Sequence, residues 1–593
     1  MDKIPHNVPA EEQEENKVSR LAFWLNAVMI FCALVSVAEL VAVSGWTLKA
    51  IHVDILGALS IGTVIAFFVQ EVFRLFCLRK SVFAHLKKFW FESVLVLLVP
   101  VVFFSSLAIG WKFSQEFMQS YFAVLHAIIA LVVGLRAVRS RHMLAAGTAL
   151  TPGRVFILSF ALLILAGTLM LLTPNATKSG ISFIDALFFA TSAVCVTGLV
   201  PVPSLPETLT QFGQCILLAL VQLGGLGVMS ITYFFAYFFA GGLSLKNRFA
   251  FRDLFSEDNI SQIGLVLGVM IGFTLSVEIV GAAWIYLSYA ADAPGVSDPI
   301  FFSVFHSVMA FCNAGFSTLP NGLATGEIPT QYGFVGGIIS LTVIGGLSFP
   351  VFKNFWLVAV DRVRRGLLRS RASVPVRLTA HTKLVLVTTA ALFVGGIIFL
   401  YLTGVHEQGG TFLRAVFLSA SSRTAGFDIG DTGGLATGTL LVVMVLMFIG
   451  GAPFSTAGGI KVTTFAVAFL SLRQMLFGKR DLEVFGRRLD SDVANQALAI
   501  VLLASAFLAL VAIALCTMHP EQPASFMLFE AVSAVATVGL TCDITPKLCL
   551  GAKCVLVVAM FVGRIGILLF LTSFVSRRAS TGARLPETTI VLT

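Results

Sequence analysis

One glycine is identical in four separated stretches of this chain, at Gly198, Gly315, Gly426 and Gly539, roughly 110 to 120 residues apart. The stretches are FIDALFFATSAVCVTGL (183–199), IFFSVFHSVMAFCNAGF (300–316), TFLRAVFLSASSRTAGF (411–427) and ASFMLFEAVSAVATVGL (524–540). Other columns keep only a class: large and apolar at Phe188, Phe305, Val416 and Phe529, small at Ala193, Ala310, Ser421 and Ala534. A glycine fixed among diverged neighbours points to backbone geometry. It reaches φ > 0 freely, and without a Cβ it lets carbonyl oxygens line a narrow passage. Each short helix before such a glycine would aim a C-terminal dipole, equivalent to about −0.5 charge, at the same place, which favours a cation over an anion. The candidate ion-binding filter is therefore Val196, Thr197 and Gly198, then Asn313, Ala314 and Gly315, then Thr424, Ala425 and Gly426, then Thr537, Val538 and Gly539. Glycines that merely turn short surface helices are the alternative, and four copies between flanking apolar runs argue against it.

A second cluster lies in MFIGGAPFSTAGGIKVTTF (447–465). Gly450, Gly451, Pro453, Gly458 and Gly459 crowd the centre of a long apolar segment. Helix propensity losses of about 1 kcal/mol per Gly and 3 per Pro should break the helix there into a flexible loop. Either a moving gate or a packed kink fits such a break. Arg564, in MFVGRIGILLF, is an intramembrane charge that costs at least about 2.5 to 3.5 kcal/mol at mid-bilayer. It faces the pore or snorkels to the cytoplasmic surface. Glu278 in SVEIVGAAW is similar in kind, a functional partner or a hydrogen-bonded structural acid. Around the glycines, Asn313 offers its oxygen or braces the loop, and Arg423 and Asp428 are expected to pair. Glu327, Asp431 and Asp543 near the external mouth either concentrate cations or form a solvated acidic surface.

The elements that position these residues are membrane spans. The 593-residue chain is 57% hydrophobic and only 12% charged, against roughly 25% charge in soluble domains. Twelve apolar runs of about 20 residues, each enough for a hydrocarbon core of roughly 30 Å, lie near 21–45, 52–78, 91–111, 119–137, 154–174, 210–240, 261–290, 332–358, 381–404, 438–470, 493–517 and 552–576. The glycine stretches fall between the later runs as helices too short to cross. Lys and Arg gather in Arg74–Lys88, Arg136–Arg154, Lys246–Arg252, Lys353–Lys383, Arg473–Arg488 and Arg577–Arg578. All share one face if both termini are cytoplasmic. The net charge of +9 is thus topology, and no nucleic-acid partner is expected.

Nothing points to an enzyme, which would need a nucleophile with a base, paired carboxylates or a metal cluster. His306 stands in a short helix without a partner motif, and the other histidines are loop, terminal or isolated residues. The nine cysteines lack metal-ligand spacing. Cys542 and Cys549 either pair externally or remain free thiols.

The order span, short helix, glycine stretch, span, repeated four times, resembles the Trk/Ktr/HKT superfamily of potassium transporters, most closely its Ktr branch. The motifs that carry the likeness are SAVCVTGL, AFCNAGFS, SSRTAGF, ATVGLT and MFIGGAPFSTAGGIKVTTF, over about residues 153–576. The resemblance implies an all-α polytopic membrane protein with four helix–pore helix–helix repeats in pseudo-fourfold arrangement round one pore. It implies potassium-selective uptake, a homodimer with one pore per protomer, and a cytoplasmic nucleotide-binding ring as partner. It places the protein in the inner (plasma) membrane, with K⁺ transported and Na⁺ a possible activating or coupling ion. It also puts a gate at Gly450, Gly451, Pro453, Thr456, Gly458, Gly459 and Lys461, with Arg564 beside it. A sodium-permeable or cation-coupled transporter of the same fold is the rival. A serine replacing one glycine would favour sodium, by resemblance to the plant branch, and all four positions are Gly.

The domain plan that follows is a tail (1–20), a four-helix N-terminal membrane domain (21–152), pore repeats at 153–245, 246–360, 361–490 and 491–578, and a C-terminal tail (579–593). The N-terminal domain resembles a voltage-sensor scaffold, with Glu71, Arg74, Trp90, Glu92 and then Arg136, Arg139 and Arg141. A working sensor needs several arginines at every third position within the field, at about 2.3 kcal/mol per charge per 100 mV. Here Arg136 and Arg139 have that spacing at the cytoplasmic end, so docking or assembly is the expected role, with a voltage-regulated channel a lesser alternative.

Overall fold

The computed structural model describes residues 152–242, 263–291, 298–324, 328–368, 377–405, 412–478 and 481–574, with isolated residues and short pieces elsewhere. The chain divides into two compact units, residues 1–149 with 173–178, and residues 150–172 with 179–593. In the first unit the helix Ile61–Gln70 buries Val64 and Phe67. Glu71, Arg74, Trp90, Glu92, Arg136, Arg139 and Arg141 lie outside the described residues, as does Glu327.

The second unit is built from helices α1 (Pro152–Leu171), α2 (Phe183–Val194), α3 (Gln211–Gly242), α4 (Ile263–Ile285), α5 (Pro299–Cys312), α6 (Tyr332–Leu347), α7 (Phe349–Leu368), α8 (Ala380–Leu402), α9 (Phe412–Ser421), α10 (Thr437–Phe448), α11 (Val462–Leu476), α12 (Ser491–Met518), α13 (Ala524–Val535), α14 (Leu550–Ile565) and α15 (Ile567–Phe574). α4 runs on as a single π turn, Tyr286–Ala290. The four short helices α2, α5, α9 and α13 form the centre. Phe188, Phe305, Phe417 and Phe529 are buried on them, and the outer helices carry the exposed apolar side chains, among them Leu162, Val280, Phe399 and Leu502. That is the distribution expected of a body surrounded by lipid. In α9 the buried position is Phe417, and Val416 is only half-buried.

Among the described residues three helices are long and apolar enough to cross a bilayer alone, spanning Gly268–Ala290, Ala380–Leu402 and Ser491–Met518. The count reaches five if two bent pairs each count as one span. The segments expected as continuous spans at 332–358 and 552–576 are therefore broken. α6 and α7 meet at 95° and α14 and α15 at 92°. Ser348 (φ 76°) and Gly566 (φ 90°) occupy the left-handed region at the two corners. Pro350, in the first turn of α7, adds a residue that cannot extend the preceding helix. The segment at 438–470 stops at Phe448 and restarts at Val462.

One β-hairpin interrupts the helical plan. Strands β1 (Leu482–Val484) and β2 (Arg487–Leu489) pair antiparallel, Leu482 with Leu489 and Val484 with Arg487. Phe485 and Gly486 both have positive φ, the geometry of a two-residue I′ turn.

Candidate functional site

Each central helix ends where its glycine stretch begins, and the four stretches share a backbone pattern. The glycine and the residue two before it both have positive φ: Val196 and Gly198, Asn313 and Gly315, Thr424 and Gly426, Thr537 and Gly539. Three of the non-glycine members are Thr or β-branched Val, for which the left-handed region is costly. Their strain is held by hydrogen bonds back to the helix from the residue that follows each, the N–H of Thr197 to the Ser192 carbonyl (2.7 Å), of Ala425 to Ser421 (2.8 Å) and of Val538 to Ser533 (2.8 Å).

The four glycines meet in cyclic order. A Cβ on Gly198 would fall on the Ala314 carbonyl oxygen, one on Gly315 would lie 3.0 Å from that of Ala425, one on Gly426 would fall on that of Val538, and one on Gly539 on that of Thr197. Each carbonyl thus belongs to the residue just before the next glycine. Positive φ and this close approach together require glycine at all four positions. The same logic recurs one layer out, where Gly224, Gly345 and Gly563 press on the carbonyls of Val194, Phe311 and Val535, the residues four before their glycines.

Side chains brace the loops differently in each copy. In the first, the Gly198 N–H donates to Ser192 Oγ (3.1 Å), which donates to the Leu199 carbonyl (2.8 Å). In the second, His306 Nδ1 donates to the Phe302 carbonyl (2.9 Å), so Nε2 accepts from Ser317 Oγ (3.0 Å). In the third, Arg414 pairs with Asp428 (3.0 Å) and donates to the Asp431 carbonyl (2.7 Å). In the fourth, the Glu530 carboxylate accepts from the Thr541 hydroxyl, from Thr545 Oγ1 (2.9 Å) and from the Cys542 N–H (3.2 Å). Ser317, Asp428 and Thr541 all stand two residues after their glycine. The expected Arg423–Asp428 pair does not form, because α9 runs back past the returning loop and brings Arg414 to Asp428. Arg423 instead donates to the carbonyls of Thr389 and Gly450, both at 3.3 Å. A further ion pair, Lys553 with Asp185 (2.6 Å), ties α14 to the start of α2.

The segment 449–461 is a buried loop against the inner ends of these helices. Its ends are stitched together, the Gly450 N–H to the Ile460 carbonyl (2.9 Å) and the Val462 N–H to the Gly451 carbonyl (3.0 Å). Thr456 Oγ1 lies 3.1 Å from the carbonyls of Phe311 and Gly345 and 3.2 Å from the Asn313 amide. A Cβ on Gly458 would strike Thr537 Oγ1. The loop therefore touches the second and fourth glycine stretches directly. Three cationic side chains hold its carbonyls: Arg423 at Gly450, Arg564 at Thr456 and Lys461 at Ala457 (2.6 Å). Arg564 is only 6% exposed, and its Nε and Nη2 find no partner among the described residues.

The structure thus brings the four candidate glycines and the residues before them, Thr197, Ala314, Ala425 and Val538, into one ring, and places Gly450, Gly451, Thr456, Gly458, Gly459 and Lys461 on one loop held by Arg564 of α14. Pro453 sits on that loop, half-buried. Asn313 acts as a brace, with its amide oriented by Thr456, Thr342 and Ala310. Cys542 and Cys549 are free thiols. Asp543 stands in the left-handed region on the loop after the fourth glycine. Burial, then the Asp431 charge and more weakly that of Asp428, raise its pKa, and Lys547 opposes them. Arg414 and Glu530 brace the loops after Gly426 and Gly539, and the sequence motifs do not single them out. A signal exists all the same, since Glu530 and His306 occupy the same position, nine residues before their glycines.

Comparison with known proteins extends the picture. A family model described as cation transport protein, TrkH, matches residues 118–581. It thus begins at the edge of the fourth expected span, earlier than the resemblance seen in the motifs. The potassium/sodium uptake protein NtpJ of Enterococcus hirae is 32% identical over 457 residues, 75% of this chain and 97% of that protein. The Ktr system potassium uptake protein B of Vibrio alginolyticus is 33% identical over 449 residues, 74% of this chain and 94% of that protein. A crystal structure of the potassium transporter TrkH from Vibrio parahaemolyticus superposes with a TM-score of 0.56 at 19% identity, covering 82% of this chain and 97% of that one.

Proposed function

The chain belongs to the TrkH family of cation transport proteins, and from that premise we propose that it takes up potassium through the ring of four glycine loops. This is a membrane transport family and not a family of enzymes. The observation that carries the proposal is the cyclic contact of Gly198, Gly315, Gly426 and Gly539, each against the carbonyl that precedes the next. Backbone oxygens gathered at one axis replace the hydration shell of a monovalent cation. Four helix C-termini aimed at the same point add negative potential without a fixed negative charge.

The loop 449–461 is the gate in this reading, and its three cations are the closing element. Potassium leaving the ring inward meets Thr456, whose carbonyl is held by Arg564. Displacing the loop removes both the steric plug and a positive charge. The four helix–pore helix–helix units, with boundaries near 246, 361 and 491, form one pseudo-fourfold pore per protomer. The protein works as a homodimer in the plasma membrane with both termini cytoplasmic. A cytoplasmic nucleotide-binding ring docks on its basic loops. The region before residue 118 is an added docking element rather than a voltage sensor.

Sodium permeation is the second reading, because one relative is named for both potassium and sodium. Rubidium and sodium flux through the purified protein in liposomes separates the two. Rubidium far above sodium supports the potassium filter. Comparable rates would replace it with a sodium-permeable pore.

A further inference from the structure

A buried acid lies behind the second glycine loop, away from the ion path already described. Glu278 sits near the middle of the span Gly268–Ala290 and is 5% exposed. Its carboxylate accepts from Gln222 Nε2 at 3.1 Å and faces Cys312 Sγ at 3.9 Å. Cys312 Sγ is also 3.7 Å from Gln222 Oε1. The Glu278 main chain is fixed too, since its carbonyl accepts from Ser307 Oγ at 2.7 Å. The helices packed on this side bring few charges of their own. From α5 the titratable neighbour is Cys312, α3 offers the neutral Gln222, and α6 carries no charged side chain. Among the described residues no cation pairs with the carboxylate. The Cys312 thiol lies within electrostatic range of both Glu278 and Arg564.

This cluster is in contact with the gate. Cys312 is the last residue of α5, three before Gly315. A Cβ on Gly225 would lie 3.0 Å from Cys312 Sγ and 3.7 Å from Thr456 Cγ2, so α3 touches the thiol and the tip of the gating loop at one point. Gln222 is one turn earlier on the same helix.

We propose that Glu278 is a proton-binding site whose deprotonation promotes cation flux through the adjacent ring and gate. The inference rests on the reading of the ring as a cation pathway. Ionisation releases one proton to water and leaves one negative charge behind Cys312, where apolar surroundings screen it weakly. That charge attracts a cation entering the space below Gly315 and offsets the positive potential of Arg564 over Thr456. Protonation removes it and leaves Arg564 unopposed. Flux therefore rises with pH.

The test is rubidium flux into liposomes across a series of pH values for wild type, Glu278→Gln and Glu278→Asp, with infrared difference spectra of the same samples. Glutamine keeps the shape and the contact with Gln222 but cannot ionise. The expected result is flux that rises with pH in wild type, loss of that rise in Glu278→Gln, and a rise retained but displaced along the pH axis in Glu278→Asp. A protonated-carboxyl band that titrates in wild type and is missing from Glu278→Gln identifies the site without reference to flux. Glu278→Gln that keeps the wild-type pH profile, or spectra with no band difference, overturns the inference. Wild-type protein that carries no rubidium at any pH while the band titrates overturns the transport reading instead, so the two failures are told apart.

Discussion

A side chain at Gly198 has nowhere to go. Its Cβ would sit on the Ala314 carbonyl oxygen with φ at 95°, whereas at Gly315 the nearest carbonyl is 3.0 Å away with φ at 66°. The left-handed conformation alone costs a non-glycine residue about 1 to 2 kcal/mol. Gly315→Ser is therefore expected to reach the membrane and conduct with its rubidium-to-sodium preference reduced about tenfold, the ratio for about 1.4 kcal/mol. Gly198→Ser should lose folded protein as well. An unchanged flux ratio in Gly315→Ser would remove the filter assignment. At the third loop, Arg414 and Asp428 are 8% and 9% exposed. Arg414→Ala leaves a buried carboxylate without its partner and should destabilise by about 3 to 5 kcal/mol, read as a lower thermal midpoint in detergent. Replacing both residues should recover part of that loss; an additive double variant would show the pair to be uncoupled. Asp543 gives a pH-dependent case. Its raised pKa means that the fold favours the neutral acid, so its contribution is present at low pH and is lost as pH rises through the raised value. Asp543→Asn keeps a residue tolerant of the left-handed region and cannot ionise. It should therefore be more thermostable than wild type at neutral pH, with the difference fading on acidification; an advantage that grows in acid would reverse the sign argued here.

At the scale of elements, the loop 449–461 and the two sharp corners show what hydropathy can and cannot carry. Four glycines and a proline within ten residues make helix too costly, so the stop at Phe448 is legible in the composition of the segment. The corners at Ser348 and Gly566 are not, since hydropathy reports whether a segment belongs in lipid and is blind to a change of direction. The signals there are slight: Gly345, Gly346 and Pro350 around one corner, and Gly563 and Gly566 around the other. The Arg423–Asp428 pairing fails for a related reason, because proximity along the chain ignores the return of the loop over its own helix. The loop 449–461 is expected from its composition to be flexible, and two of its glycines also allow close packing, with Gly458 against Thr537 and Gly451 against Gly346. Deleting Ala452 to Gly458 removes the Thr456 contacts to Phe311 and Gly345 and the carbonyl that Arg564 holds. Rubidium flux per folded protein should rise. Equal or lower flux with normal expression would mean that the loop supports the pore rather than closing it.

For the whole molecule, the decisive fact is an excess of chain. Residues aligned with NtpJ account for 97% of that protein but 75% of this one, and the family match starts at residue 118. The family match leaves the residues before 118 uncovered. Met29, Cys32, Val64 and Phe67, each at most 2% exposed, lie in this stretch, which belongs to the compact unit of residues 1–149 with 173–178. Removing residues 1–117 retains the stretch 118–149 that the family shares, together with Arg136, Arg139 and Arg141. Three charges crossing the whole field would be worth about 7 kcal/mol per 100 mV, enough to make flux depend steeply on voltage. On the topology expected from the basic loops, Arg136, Arg139 and Arg141 fall at the cytoplasmic end of their run and cross little of that field. The truncated and full-length proteins should therefore carry rubidium at similar rates in liposomes and show the same dependence on imposed voltage. That dependence should be no steeper than the driving force requires. A steep voltage dependence in the full-length protein that disappears on truncation would make residues 1–117 part of a sensor together with Arg136, Arg139 and Arg141. Lost flux at normal expression would make them part of the pore's own support.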